Sequence, residues 1–129
     1  MNILLWVLQA LLALAFLAHG VVLLFPPPDI AAQMYAELPG GFWLFLGIAE
    51  VAAAIGLILP GLTRILPGLV PAAGAGITFV MVSATIWHIV RNEISSAVIT
   101  FVLLLMALFV TYMRWRVLPI RPRSARVAV

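Results

Sequence analysis

Four uninterrupted apolar runs, at about 3–25, 42–62, 65–90 and 94–113, make up most of this chain of 129 residues. A helix rises about 1.5 Å per residue, so about 20 apolar residues cross a hydrocarbon core about 30 Å thick. The runs are continuous rather than alternating, which excludes a transmembrane β-barrel. With 66% hydrophobic residues, the chain has too much apolar surface for one soluble core. The sequence therefore predicts an all-α, four-helix transmembrane bundle forming a single domain over 1–129.

The seven basic residues are distributed unevenly between the two sides of the membrane. Only Arg91 lies in the third connection, while Arg64 lies in the second. The other five follow the last run: Arg114, Arg116, Arg121, Arg123 and Arg126. The positive-inside rule then predicts a multi-pass protein of the plasma (inner) membrane with both termini cytoplasmic and 114–129 as a basic tail. This distribution indicates contact with the lipid bilayer rather than nucleic acid, and the absence of cysteine excludes thiol chemistry.

The first run lacks the Lys or Arg that precedes a signal peptide, so we expect it to be retained as a span. Prolines 26 to 28 end it, because proline has no amide donor. Asp29 is then expected to cap a short helix whose apolar residues Ile30, Met34 and Leu38 share one face. The pattern predicts an interfacial helix in the first outer loop.

Glu50 is the most informative single residue, because it lies in the middle of the second apolar run. A carboxylate at the bilayer centre costs at least ~2.5 to 3.5 kcal/mol, so such a group normally faces the bundle interior and marks a functional site. Gly47 and Ala54 lie three residues before it and four after it, on the same helix face. Because small residues mark close helix contacts in membranes, we expect the carboxylate to project inside the bundle.

The two histidines are the natural partners of this carboxylate. Counted from the helix ends on one membrane face, His19, Glu50 and His88 lie about 9, 12 and 3 Å deep. Thr85 lies on the same polar stripe of the third helix as His88. These four residues are the candidates for a hydrogen-bonded network, a proton path or a pocket for a polar headgroup such as a quinone ring.

Simpler roles remain open for each of these residues. His88 is shallow enough to be an interfacial histidine, and His19 can serve as a packing contact between helices. Glu50 can be a protonated or paired carboxyl that holds the bundle together. Two histidines at different depths disfavour bis-histidine haem ligation. A metal site of two His and one Glu is disfavoured because no second carboxylate lies nearby in sequence.

Two stretches resemble a known family. They are Leu38 to Trp43 followed by Gly47, Glu50 and the exit Gly56 to Pro60, and Met81 to His88. The first stretch resembles the second helix of the DoxX-like membrane proteins, and the second stretch resembles the end of that family's third helix. Where that family commonly has a Gly-x-x-Lys pattern before the first proline, this chain has Gly20 and Leu23.

The resemblance implies four helices with an outer loop, and a role in or beside quinone-linked redox chemistry through a polar pocket near the outer leaflet. It is equally compatible with a non-catalytic accessory subunit or assembly partner of a larger membrane complex, or with a homo-oligomer. Glu50 and His88 match by position. No catalytic role, reaction or resident cofactor follows for them from the sequence.

Overall fold

The computed structural model describes residues 1–123, so Arg126 of the predicted basic tail lies outside the described residues. The helices are α1 (Asn2–Leu24), α2 (Pro28–Glu37), α3 (Gly40–Thr63), α4 (Leu69–Val90) and α5 (Ile94–Tyr112), and α5 continues into a π-helical turn, Met113–Val117. The described part of the chain contains no strand. Four helices, α1, α3, α4 and α5, are long and apolar enough to cross a membrane. The predicted all-α transmembrane bundle is confirmed.

The four long helices form a closed ring. α1 packs against α3 and α5, and α4 packs against the same two helices from the other side, while α2 packs on α3. The side chains at the centre are apolar and almost fully buried, among them Leu5, Leu12, Leu57, Ile77, Ala107 and Val110. Most large apolar side chains elsewhere on the long helices face outward. This arrangement suits a lipid surround, where the outer surface need not be polar.

Helix α2 lies where the sequence predicts a short helix, but its start differs from the prediction. Pro27, rather than Asp29, is the N-cap residue, because Pro28 fits the first helical position. Asp29 lies in the first turn, where its charge favours the helix dipole. Trp43 of α3 donates its indole N–H to the carbonyl of Met34 at 2.8 Å and ties α2 to the bundle.

Helix α4 begins at Leu69, four residues later than the apolar run that starts at Ile65. The backbone has positive φ angles at Arg64 (58°) and Leu66 (49°), and Pro67 follows. A left-handed residue ends a helix, so 64–68 forms a connection rather than the first turn of the span. At the other end of α4, Asn92 with φ 60° turns the chain into α5.

Small residues set the closest helix contacts. A Cβ added at Gly20 of α1 would lie 3.1 Å from the carbonyl oxygen of Gly47 and 3.2 Å from Cβ of Glu50. Between α4 and α5, Gly74 similarly approaches the hydroxyl of Thr111. The close approach at Gly20 brings α1 next to the α3 face that carries Glu50, so the packing itself places the carboxylate beside the residues around Gly20.

Candidate functional site

His19 and Glu50 form a direct pair across α1 and α3. His19 Nδ1 lies 2.6 Å from Glu50 Oε2. The Glu50 side chain is only 3% exposed, whereas the His19 side chain, one residue before the close contact at Gly20, is 59% exposed. The buried carboxylate therefore has an imidazole partner at charge-assisted hydrogen-bond distance. The structure brings these two sequence-predicted residues together inside the bundle.

His88 has a different carboxylate partner. Its Nδ1 lies 2.5 Å from Oε2 of Glu93, which comes from the α4–α5 turn. Arg91 donates from Nε to Glu93 at 2.9 Å and from Nη2 to Glu37 of α2 at 2.7 Å, and it stacks over Trp87. We call His88, Glu93, Arg91 and Glu37 the turn network. It runs from the end of α4 to α2 along hydrogen bonds between side chains.

The turn network keeps Glu93 and Arg91 charged. The hydrogen bond from His88, followed by that from Arg91, holds the pKa of the Glu93 carboxyl below its usual value. The hydrogen bond with Glu93 in turn raises the pKa of Arg91. Glu93 is therefore a carboxylate at neutral pH and accepts the hydrogen bonds of both neighbours.

A cavity of about 370 Å³ joins the two histidines. It lies between α1, α4 and α5, and its lining comprises Ala15, Phe16, His19, Met81, His88, Ser96, Ile99, Thr100 and Leu103. The walls are mostly apolar, and the polar groups come from the two rings and two hydroxyls. His88 thus shares a cavity with His19 but not the hydrogen bond of Glu50.

Thr85 lies just behind this lining. Its hydroxyl donates to the carbonyl of Met81 at 2.7 Å and is 3.0 Å from the hydroxyl of Thr100, which lines the cavity. The Thr85 side chain is buried, and its single hydroxyl hydrogen is already donated to the helix carbonyl. Thr85 therefore supports Thr100 and does not face the cavity. Of the four predicted site residues, His19 and His88 line the cavity, whereas Glu50 and Thr85 lie behind it.

The two imidazole rings have the same hydrogen-bonding pattern. Each uses Nδ1 toward a carboxylate, which leaves Nε2 for other partners. A neutral ring that keeps its proton on Nδ1 accepts a hydrogen bond at Nε2, and an imidazolium ring donates one there. The rings can therefore accept or supply protons in an apolar cavity. Among residues 1–123, no group of three His, Asp or Glu side chains is arranged to hold a metal ion.

The sequence reasoning missed Glu93 and Glu37 as partners. Both lie between the predicted spans in the sequence, although Glu93 follows His88 by five residues across a tight turn. The sequence signal for this contact is the pair of opposite charges at Arg91 and Glu93 directly after a histidine at a helix end. The sequence carries no comparable signal that Ser96 shares a cavity with the histidines.

A second polar cluster lies at the opposite end of the bundle. Arg114 donates from Nε to Gln9 Oε1 and from Nη1 to Asn2 Oδ1, both at 2.7 Å, and stacks over Trp6. Gln9, with no exposed surface, donates in turn to the carbonyl of Leu57 at 2.7 Å. We call Arg114, Gln9 and Asn2 the terminal cluster. The sequence assigned Arg114 to the basic tail, but it is 3% exposed because the π-helical turn carries it back into the bundle.

The comparison with protein families gives one match. A family model described as the DoxX-like family matches residues 7–110, more than half of the chain. This range contains the whole cavity lining, Glu50 and the turn network, and it stops before Arg114. Neither the curated proteins nor the solved structures include a match to the chain.

Proposed function

The chain belongs to the DoxX-like family, and on this premise we propose that it binds a quinone from the bilayer and exchanges protons with it. One observation carries the proposal: two histidines, each hydrogen-bonded to a carboxylate, line the same cavity. In this proposal the protein is the membrane component of a quinone-linked redox system in the plasma membrane. Both termini are cytoplasmic and the cavity lies in the outer half of the bilayer, as the arginine distribution predicts.

The dimensions and chemistry of the cavity suit this ligand class. A volume of about 370 Å³ falls within the roughly 300 to 1,000 Å³ typical of small-molecule sites. Phe16, Met81 and Leu103 provide apolar walls for a ring. His19 and His88 come from different helices, which matches a ligand that carries oxygen atoms at two positions on its ring. Because the cavity lies among spanning helices, the ligand enters from the lipid.

A bound quinone supplies the electron chemistry, since it takes up two electrons and two protons to become a quinol. The electrons come from a separate reduced redox protein, and the residues of this chain hold and move protons. His19 presents Nε2 to the ligand while Glu50 stabilises a positive charge on the ring. His88 also presents Nε2 to the ligand, and Glu93 holds its Nδ1. The apolar walls exclude water, which strengthens both hydrogen bonds.

Direct binding tests the proposal. The purified full-length chain in lipid nanodiscs is titrated with a decyl-substituted benzoquinone, and tryptophan fluorescence quenching gives the affinity. His19→Leu and His88→Leu should each weaken binding about tenfold, because each removes a hydrogen bond to the ligand. Ser83→Ala is the matched control, since Ser83 lies exposed on α4 outside the cavity lining. Quenching that does not saturate, or equal affinities in all four proteins, would refute quinone binding.

Two substitutions at Glu50 separate its chemistry from its packing. Glu50→Gln keeps the size and the hydrogen bond to His19 but removes the ionisable group. It should therefore preserve the fold and binding while abolishing any pH dependence of binding that arises from His19. Glu50→Leu removes the hydrogen bond as well and should weaken binding. If the Gln variant keeps both the affinity and the pH dependence of the wild type, Glu50 serves packing only.

An apolar groove favours a second candidate function, that of an accessory subunit. The groove, about 610 Å³, lies on the outer surface between α1 and α3. Its lining is entirely aliphatic: Ala10, Ala13, Leu14, Leu17, Ala54, Ile55, Ile58 and Leu59. Small residues along a groove allow a further helix to approach closely in a membrane. A helix of a larger complex, or of a second copy of this chain, is the partner that this surface suits.

The assembly state distinguishes this candidate from a protein that acts alone. Native mass spectrometry from mild detergent should show a defined larger assembly, and Ala10→Phe, which fills the groove from an exposed position of α1, should reduce it to the single chain. Val98→Phe is the control, because Val98 is exposed on α5 outside the groove and the cavity. A wild-type chain that is monomeric under these conditions contradicts the accessory role.

A further inference from the structure

We propose that Glu93 passes protons between His88 in the cavity and the water on the membrane side that carries α2. The site then exchanges protons with one side of the membrane. This proposal rests on the proposed function in one respect: the protons are used in the reaction of a bound quinone. The route itself is a property of this chain's own side chains, so it can be tested without a quinone.

The first observation is the position of Glu93 between the cavity and the surface. His88 lines the cavity, and its Nδ1 lies 2.5 Å from Oε2 of Glu93. The Glu93 side chain is 38% exposed, whereas the His88 side chain is 26% exposed. A carboxylate that contacts the ring on one side and water on the other is within reach of both proton partners.

The second observation is the contrast with His19. Its partner Glu50 is 3% exposed and, within residues 1–123, hydrogen-bonds only to His19. From His19 to Gln9 of the terminal cluster, α1 runs about 15 Å past Phe16 and Leu12, which face the apolar core. The carboxylate behind His19 is thus enclosed by the core, whereas the carboxylate behind His88 is partly exposed. Among residues 1–123, the turn network is the chain of side-chain hydrogen bonds that runs from the cavity to the side that carries α2.

The charged groups around Glu93 explain why it can take up and release a proton. Those that contact it are His88 from α4 and Arg91 from the turn, and Arg91 is shared with Glu37 from α2. His19 stands on the far wall of the cavity with Glu50 behind it, and the polar groups that α5 adds to the lining are the hydroxyls of Ser96 and Thr100. The hydrogen bonds from His88 and Arg91 make the carboxylate the resting form of Glu93, so a proton that Glu93 takes up moves on to the ring.

The proton transfer balances without a change in the charge of the ring. At rest the Glu93 carboxylate accepts a hydrogen bond from the Nδ1–H of the neutral His88 ring. Glu93 takes a proton from water, and rotation of the ring turns its N–H toward a ligand oxygen and its bare nitrogen toward Glu93. The N–H bond breaks as its proton passes to the ligand oxygen, and a new N–H bond forms with the proton of Glu93, which restores the carboxylate and the resting arrangement. Oxidation of a quinol runs the same steps in reverse.

The chain contains two histidines, which makes the test direct. Histidine-selective ¹⁵N labelling of the full-length chain in proteoliposomes gives two ring signals, assigned with His19→Gln. With different pH values inside and outside, the His88 signal should report the pH on the α2 side. Impermeant labelling of Ala32→Cys identifies that side. Glu93→Gln should slow the exchange of the His88 ring proton with water about a hundredfold, the lower range for a positioned carboxylate.

Glu37→Gln is the matched control, because it removes a carboxylate from Arg91 but leaves the bond between His88 and Glu93 intact, and it should leave the exchange rate unchanged. An unshifted His19 signal shows that each variant has folded. Exchange as fast in Glu93→Gln as in the wild type, or a His88 signal that follows the opposite side, would overturn the proposal. If the route is found but no quinone binds, the proposed function fails alone. If quinone binds but exchange is independent of Glu93, the route fails alone.

Discussion

Gln9→Leu should destabilise the bundle, although it makes α1 more apolar. Gln9 is fully buried and makes two hydrogen bonds of 2.7 Å, one to the carbonyl of Leu57 and one from Nε of Arg114. Leucine is of similar size, so packing changes little, but the buried guanidinium loses an acceptor. Hydrogen bonds in membrane proteins contribute about 0.6 to 1.7 kcal/mol each, and an unpaired buried donor costs about 1 to 3 kcal/mol. We expect a loss of about 2 kcal/mol, roughly thirtyfold in the folding equilibrium.

Reversible unfolding in mixed micelles, followed by tryptophan fluorescence, measures this difference in the free energy of unfolding. Gln9→Glu is the control, because it keeps an oxygen for Arg114 and adds an opposite charge while losing the donor to Leu57. It should be much less destabilising than Gln9→Leu. If hydropathy alone governed stability in this span, Gln9→Leu would be as stable as the wild type or more so. That result would refute the importance assigned to the terminal cluster.

Three further predictions follow from other parts of the bundle. Gly74→Ala should lower the free energy of unfolding by about 1 to 3 kcal/mol through overpacking against α5. Gly76→Ala on the same helix has nothing within 4 Å of the added methyl, so it should not destabilise the protein in the same unfolding assay. The lowered pKa of Glu93 means that its contribution to stability is present above its ordinary value of 4.5 and is lost as the pH falls through the folded-state value. Protection of the α4–α5 turn against hydrogen exchange, corrected for the intrinsic pH dependence of exchange, should therefore fall only in that acidic range, and a loss of protection near neutral pH would contradict this. Ala32→Cys should react with an impermeant reagent from outside and Leu66→Cys should not, and the reverse pattern would overturn the orientation.

The fold was predictable because the length of an apolar run and the position of prolines are local properties. The surrounding lipid explains the length of the four apolar runs, and the backbone chemistry of proline explains the break at Pro26. The start of α4 at Leu69 was not predictable in this way, because Ile65 and Leu66 are apolar but take no part in the helix. Hydropathy reports whether a residue tolerates lipid, not whether its backbone is helical.

The candidate site was predictable in part. Glu50 and His19 were paired through depth counting, since both lie well inside their spans. The assignment of His88 to the same cluster was less complete, because a side chain near a helix end can also bond to the following turn. Glu93 is nearer to His88 along the chain than Glu50 is, and the closer partner takes Nδ1. Counted in the same way, Glu93 in the turn lies nearer to the level of His88, about 3 Å deep, than Glu50 does at about 12 Å.

The terminal cluster has a consequence for the synthesis of the protein. It joins Asn2 and Gln9 to Arg114, across 112 and 105 residues of chain. When α1 leaves the ribosome, its buried glutamine has no guanidinium partner, and that partner is made only after α5. The ring of helices therefore closes last between its first and last members. A translation product that stops before Arg114 would keep all four apolar spans and still lack the contact that completes the assembly.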